Sequence, residues 1–592
     1  MIPLVIACAL LVDVVLSNDS VTVETAYGRI DGFKYNIVGG GTANVFLGVP
    51  FAKPPVGELR FEKPEPPDPW GDPLDATKFA PACTPHHRSG IPGEHSEDCL
   101  YLNIMTPAQE SKNPAGHAVM VWIHGGGYCL GSAKAYGYAN ISENFITRDV
   151  IVVTVQYRLG PYGWLSSGDS VLPGNFGYWD QRAALRFIKE NIASFGGDPN
   201  RITLFGLSAG GGSVSSLSLS PYTRDLFAQT IEMSGSAFAP WAASESVVHS
   251  TIELALKLGC QIADSNELKS CLKGKTSDEF FDAVDAIGAA RRSLNILKFG
   301  PWIDGDFFPE DFEKLVDNSP KKPTVIGLVN KESAFFTTEG NLKPINELLI
   351  TPENYEAYGD NNLTDFIKDV IAPEEIFGHQ TAEVRDELIK HYVKREEPTD
   401  KDYRFYLERY TELVSDIAFN IPCIRMKNAK VASGWPVWFY FNDHYNIGAF
   451  KEDAPVKGAT HLHEYPYMFG ISPFYDFVFN DDEVKLQRAI LETFTHFAKY
   501  GDVFMAVLRR TDNNNESEGA VRKDNRTPDN EEYPWEPVTR EHNLRHMRFG
   551  PESKMQDTFL EENIAFWESM RKYDYDIIRG IRRSRTFEKE EL

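Results

Sequence analysis

Gly206-Leu207-Ser208-Ala209-Gly210 sets a serine between two glycines in the pattern G-x-S-x-G. A serine hydroxyl held on a sharp turn can act as a nucleophile once a base takes its proton. The bare pattern is weak, because a chain of this length with average Gly and Ser carries about 0.2 copies by chance. Its context is stronger. A β-rich run at 202–207 leads into the serine and small residues follow it, as a strand–turn–helix elbow requires. The bland alternative is a glycine-rich strand–helix turn without chemistry. A second pattern, His124-Gly125-Gly126-Gly127, follows the apolar run 118–123. Ester hydrolysis puts negative charge on the former carbonyl oxygen, and that charge needs donors already aimed at it. Glycines let backbone N–H groups approach closely. Gly126, Gly127 and Ala209 are the expected donors of an oxyanion hole.

The serine needs a base, and the base needs an orienting carboxylate. Eight histidines lie beyond residue 330, so order along the chain does not choose among them. Strand logic narrows the field, because in open α/β sheets sites assemble beyond the carboxyl ends of the strands. Short apolar runs at 118–123, 150–155, 202–207, 324–329 and 436–441 read as strands. Helical patterns at 180–193, 245–258, 381–394 and 484–499 alternate with them, which is an α/β arrangement. Glu332 follows the fourth strand within a few residues. His461, His444 and His463 all follow the fifth, and this logic leaves the three open.

The chain has 592 residues and a formal net charge of −25. That acidity argues against nucleic acid or an anionic membrane surface as partner. No Pro/Gly/Ser linker divides the sequence, so one large domain over 18–580 is expected. Two segments look like inserts: an acidic stretch near 352–380 and a polar loop at 511–530. Residues 1–17 are apolar, too short and too interrupted by Asp13 to span a membrane, and read as a signal peptide without the usual basic start. No later run is long enough for a membrane anchor. The last residues, Lys589-Glu590-Glu591-Leu592, lie in a tail (581–592) and differ by one residue from a KDEL-type address. An endoplasmic-reticulum lumen location with a retrieval receptor as partner is the expectation, and secretion the alternative. Five N-x-S/T sequons begin at Asn18, Asn140, Asn362, Asn515 and Asn525 and agree with passage through the secretory pathway. Of seven cysteines, Cys8 lies in the signal. The spacings of Cys83 with Cys99 and of Cys260 with Cys271 allow short-loop disulfides. Cys129 and Cys423 remain, and spacing does not say whether they pair. No cluster has zinc-ligand spacing, and His86-His87 reads as a solvated loop pair.

Several longer segments together resemble the type-B carboxylesterases, the family that also includes the cholinesterases. They are FLGVPFAKPPVGELRF (46–61), SEDCLYLN (96–103), WIHGGGY (122–128) and the stretch from NFGYWDQRAAL through FGGDPNRITLFGLSAGG (175–211). The resemblance covers nearly the whole chain after the signal. It implies an α/β-hydrolase fold with a large, mostly parallel mixed central sheet flanked by helices. GLVNKESAFF (327–336) resembles the family's acid segment and selects Glu332; GATHLHEYPYMFG (458–470) resembles its histidine segment and selects His461. The resemblance also implies disulfides Cys83–Cys99 and Cys260–Cys271, an Arg60–Glu97 ion pair, and loss of a third disulfide, since Ala565 stands where the partner of Cys423 would be. Ser234 resembles a family position near the histidine, as a hydrogen-bond partner or a plain turn serine.

The implied activity is hydrolysis of small-molecule carboxylic esters through an acyl-enzyme on Ser208, with no cofactor or metal. Cholinesterases hold a quaternary ammonium on aromatic faces. Here the first disulfide loop carries no Trp, and Leu207 precedes the serine where cholinesterases carry an acid. Both departures point to neutral or hydrophobic esters, with Trp241 either lining an acyl pocket or filling the core. With its tail the chain resembles intestinal carboxylesterases, nematode gut esterases among them. Two other readings stand beside this one: a catalytically silent adhesion or binding protein of the same superfamily, and a lipase-like esterase, for which no apolar lid is identifiable.

Overall fold

Val150–Val155 reads VIVVTV and every residue of it is buried, as happens when a strand is covered on both faces. It sits inside a 13-stranded sheet. In the computed structural model, residues 20–88, 93–293, 295–340, 346–396, 398–472, 477–507 and 531–582 are described. The expected signal peptide, most of the tail (583–592) and the polar loop at 511–530 lie outside them.

The strands that form the sheet's continuous path are β1 (Ser20–Thr25), β2 (Gly28–Asn36), β3 (Thr42–Pro50), β4 (Tyr101–Pro107), β5 (His117–Ile123) and β6 (Val150–Val155). They continue with β7 (Gly197–Leu207), β8 (Gln229–Met233), β9 (Thr324–Val329), β10 (Val437–Asn442), β11 (His546–Phe549) and β12 (Lys554–Gln556). Their order across the sheet is β1-β2-β3-β4-β6-β5-β7-β8-β9-β10-β11-β12. Pairing is parallel from β6 through β11 and antiparallel outside that block. The fold is thus a large, mostly parallel mixed sheet of the α/β-hydrolase kind.

Alternation along β5 shows how the sheet divides the core. Ala118, Met120 and Trp122 pack into one buried cluster, Val119, Val121 and Ile123 into the other. Helices α1 (Phe176–Asn191), α2 (Ala209–Leu217), α3 (Tyr403–Ser415) and α4 (Ile421–Ala432) belong to the larger cluster; α5 (Tyr465–Phe469) and α6 (Asp481–Tyr500) cover the opposite face. A π-helical turn, Asp416–Asn420, joins α3 to α4 without a break. The acidic stretch expected as an insert is helical at Asp360–Phe366 and buries Leu363, Ile367 and Ile371 in the main core.

Two cross-links brace the rim. Cys83–Cys99 and Cys260–Cys271 are bonded, with Cα atoms 4.9 and 5.7 Å apart. Arg60 meets Glu97 through two parallel hydrogen bonds of 2.7 and 2.5 Å, and its remaining N–H groups reach the carbonyls of Lys273 and Lys275. That guanidinium therefore ties the first disulfide loop to the end of the second. Cys129 and Cys423 are buried and unpaired. His86-His87 is not a solvated pair. His86 is 3% exposed and its Nε2 lies 2.5 Å from the Ala289 carbonyl, while His87 pairs with Asp285 at 2.8 Å. Burial pulls His86 down to about 4, so it is neutral. Among the described residues no helix is long and apolar enough to cross a membrane.

Candidate active site

The parallel strands end at one edge of the sheet, and the candidate residues stand just beyond their carboxyl ends. His124–Gly127 follow β5, Ser208 follows β7, Ser234 follows β8, Glu332 follows β9, and His461 lies in the long loop after β10.

Ser208 has φ 63° and ψ −127°, a conformation that non-glycine residues avoid. The crowding around it explains the flanking glycines. A Cβ on Gly210 would lie 2.0 Å from the Ile123 carbonyl oxygen, and one on Gly206 2.6 Å from the Gly210 backbone. The elbow is pinned from both sides, since the Ser208 N–H donates to Met233 O at 2.9 Å and Gly212 N–H to Ser208 O at 2.8 Å. Ala209 begins α2, so its N–H is one of the helix's unpaired amino-terminal donors.

The glycine loop after β5 is equally constrained. Gly126 has φ 113°, and a Cβ there would lie 2.1 Å from the Leu130 carbonyl oxygen. Its own carbonyl accepts from the N–H groups of Cys129 and Leu130, both at 3.0 Å, which fixes the peptide plane. His124 does not face the site. Its ring stacks on Tyr157 at 4.5 Å, and burial pulls it down to about 4.

Glu332 is fully buried. Its Oε1 accepts from the Ser234 hydroxyl at 2.7 Å and the Val329 N–H at 3.0 Å; its Oε2 meets His461 Nδ1 at 2.8 Å. Of the two readings of Ser234, the structure gives the hydrogen-bond partner. His461 is 1% exposed and its Nε2 makes no protein hydrogen bond. The ring packs against Phe419 (centroids 4.5 Å) and Phe336 (5.4 Å). The histidine loop is clamped to the Glu332 turn: Lys331 N–H donates to Ala459 O at 2.9 Å, Phe335 N–H to Thr460 Oγ1 at 3.1 Å, and Lys331 bridges Thr460 as a parallel pair. The other two histidines of this region turn toward α5 and α6. His444 Nε2 meets Glu483 at 3.1 Å, and His463 lies 3.4 Å from the Tyr467 hydroxyl with burial holding it near 4. Glu464, three residues after His461, accepts from the Tyr440 hydroxyl at 3.0 Å. Burial, and then the Glu332 charge, push it up to about 8.

Ser208 and His461 line one cavity of about 210 Å³. Gly126, Gly127 and Cys129 form one wall, and Leu130, Trp241, Leu297, Phe336, Leu348 and Phe419 contribute most of the rest. Among the described residues no Asp, Glu, Lys or Arg lines it. Trp241 therefore belongs to the cavity wall, held by its indole N–H on the Ala418 carbonyl at 2.8 Å. Leu207 is fully buried in the smaller core cluster and does not line the cavity. Sequence reasoning marked Cys129 as a leftover cysteine but missed its place on the cavity wall, and missed the two phenylalanines around the imidazole. Phe336 lies within the acid segment itself, whereas Phe419 has no local signal.

A serine turn, a glycine loop and a buried carboxylate–imidazole pair thus meet at the edge of one α/β sheet. The match to the "Carboxylesterase family" runs over residues 19–567. The chain belongs to the carboxylesterase family. It is 38% identical over 564 residues to gut esterase 1 of Caenorhabditis briggsae, spanning 94% of each chain. It is 36% identical over 479 residues to the acylcarnitine hydrolase of Mus musculus, covering 78% of this chain and 79% of the relative. It is 35% identical over 479 residues to pyrethroid hydrolase Ces2e of Rattus norvegicus, covering 78% of each. As a carboxylesterase the protein is a serine-class hydrolase of carboxylic esters, and small-molecule esters are its substrates.

Proposed function

We propose that this carboxylesterase hydrolyses neutral, apolar esters through Ser208, His461 and Glu332. The observation that carries this reading is the relay of hydrogen bonds from Ser234 and Val329 through Glu332 to His461 Nδ1, which leaves Nε2 free in the cavity that Ser208 lines. Glu332 holds the proton on Nδ1, so Nε2 is the basic nitrogen. Ser208 Oγ attacks the ester carbonyl as Nε2 takes its proton. The N–H groups of Gly126, Gly127 and Ala209 receive the oxyanion. His461 then returns the proton to the departing alcohol, and water releases the acid by the same route in reverse. The structure contains no Ser208–His461 hydrogen bond; such contacts often tighten only when substrate is bound.

The preference for neutral esters rests on the walls. A quaternary ammonium entering this cavity finds aromatic faces but no carboxylate, and desolvating a cation without a counter-charge is costly. The names of the two rodent relatives point in different directions on this matter, and the neutral reading is supported by the cavity's uncharged walls. Hydrolysis of 4-nitrophenyl butyrate, beside the Ser208→Ala protein, tests the mechanism. Activity lost in the variant and titrated one-to-one by an organophosphate supports it; equal rates in both proteins overturn it and favour a silent binding role. Turnover of acetylcholine as fast as of a naphthyl ester overturns the neutral preference. Retrieval to the endoplasmic reticulum through 589–592 belongs to the same reading, supported by two disulfides of the kind that persist in an oxidising lumen. Deleting those four residues then sends the protein into the medium; unchanged distribution counts against it.

A further inference from the structure

We propose that Cys129 is a covalent modification site for small apolar α,β-unsaturated carbonyl compounds that enter the ester cavity. The thiol is 9% exposed and lines the cavity. Its Sγ donates to the Gly126 carbonyl at 3.3 Å, and a methyl group placed on Gly127 would lie 3.5 Å from it. The sulfur is thus beside the two glycines proposed above to receive the oxyanion. A second observation marks this cavity as made for a ligand: the Nε2 of His461, a residue 1% exposed, points into it without a protein partner. The apolar walls select a neutral electrophile and exclude an anionic one. Cys423 supplies an internal control, being 1% exposed and absent from the cavity wall.

The reaction is conjugate addition. The sulfur forms a bond to the β-carbon, the C=C π pair moves to the α-carbon, and the α-carbon takes up the proton that the thiol gives up. Neither oxidant nor reductant is needed. Burial pushes the thiol up to about 12, so the resting group is protonated and reacts slowly with reagent in free solution. An electrophile held in the cavity gains from its proximity to the sulfur. The adduct then fills the space in front of Gly126 and Gly127, where the ester carbonyl must sit. The loss of activity rests on the ester-hydrolase reading of this cavity; the labelling of Cys129 does not.

N-ethylmaleimide is the probe, with iodoacetate as its charged counterpart. At pH 8 the protein lacking residues 1–17, and with them Cys8, gains one maleimide, found by peptide mass spectrometry on Cys129, and loses at least nine-tenths of its activity. Iodoacetate labels at least tenfold more slowly. Ser208→Ala protein is labelled at the same position, which separates this site from the mechanism above. An apolar trifluoromethyl ketone slows labelling at least tenfold in the wild type. Cys129→Ala and Cys129→Ser each keep their own remaining activity through the treatment. Labelling confined to Cys423, no labelling of Cys129 in folded protein that labels fully in guanidinium, or inactivation of both variants at the wild-type rate overturns the proposal.

Discussion

Replacing Glu332 by Gln keeps the volume and removes the charge, and the surrounding donors decide how the amide must lie. One carboxylate oxygen receives two donors, the Ser234 hydroxyl at 2.7 Å and the Val329 N–H at 3.0 Å. The hydroxyl can rotate, but the backbone N–H cannot. An amide NH₂ turned toward Val329 would face a fixed donor and leave it unsatisfied, at about 1–3 kcal/mol. The amide oxygen therefore stays on Val329, and the NH₂ turns to His461 Nδ1, 2.8 Å away in the native pair. Nδ1 must then accept, which places the ring proton on Nε2, the nitrogen that should take the proton from Ser208. A wrong tautomer of this kind lowers kcat by about 10⁴, or about 5.4 kcal/mol at 1.36 per decade. Ser234→Ala is the contrasting change. It removes one donor and leaves the carboxylate, so the loss is bounded by one hydrogen bond to a charged group, ~1.5–3 kcal/mol. The kcat for 4-nitrophenyl butyrate, measured on both variants with matching circular dichroism, separates the two by at least an order of magnitude. A Glu332→Gln enzyme within tenfold of wild type refutes the tautomer argument.

The glycine loop is the next target: Gly126→Ala places a methyl 2.1 Å from the Leu130 carbonyl oxygen, and kcat falls by about 10²–10³ with a donor lost; an unimpaired kcat removes Gly126 from the oxyanion hole. Beneath the site, Lys430 and Glu232 form an ion pair at 0% and 1% exposure. Lys430→Met leaves that carboxylate buried without a counter-charge, its remaining donor being the Thr230 hydroxyl at 3.0 Å, and urea unfolding shows a loss of ~3–5 kcal/mol; a loss below ~1 kcal/mol contradicts the pairing as the reason for its burial. Lys427 is fully buried, donates to the Asn543 carbonyl, and burial pulls its ammonium down to about 7. Between that value and about 10.4, the unfolded lysine binds more protons than the folded one, so this residue makes stability rise with pH. Lys427→Met removes that slope, and its stability relative to wild type is greatest at pH 7 and shrinks by pH 9.5; a difference constant across that range counts against a neutral buried amine.

Local turns were legible because their chemistry and their sterics coincide. The glycines at 206 and 210 are needed for the tight turn at Ser208, so the residues that announce the candidate nucleophile also shape its turn. The strand runs were legible for a similar reason: 150–155 and 324–329 are apolar but for Thr154 and Thr324, because both faces are covered. His86 misled because its polarity is local while its partner, the Ala289 carbonyl, is 203 residues away. Strand logic alone left three histidines open, and the family's segments were needed to choose. The structure shows why. His461 is separated from Glu332 by 129 residues, and what joins them is the seam between Lys331 and Ala459-Thr460, made of backbone groups that every sequence possesses. His444 and His463 meet Glu483 and Tyr467 instead of Glu332, which nothing in their immediate sequence marks. Cys129 has the opposite history, being conspicuous as a free cysteine but silent about its surroundings. The turn from Gly126 to Leu130 puts its sulfur on the cavity wall, and the Gly126 carbonyl that accepts from the Cys129 and Leu130 N–H groups also receives the sulfur's hydrogen bond. A substitution that relaxed this turn would therefore be expected to weaken ester hydrolysis and maleimide labelling together, which ties the reactivity of Cys129 to the geometry of the oxyanion loop rather than to the thiol alone.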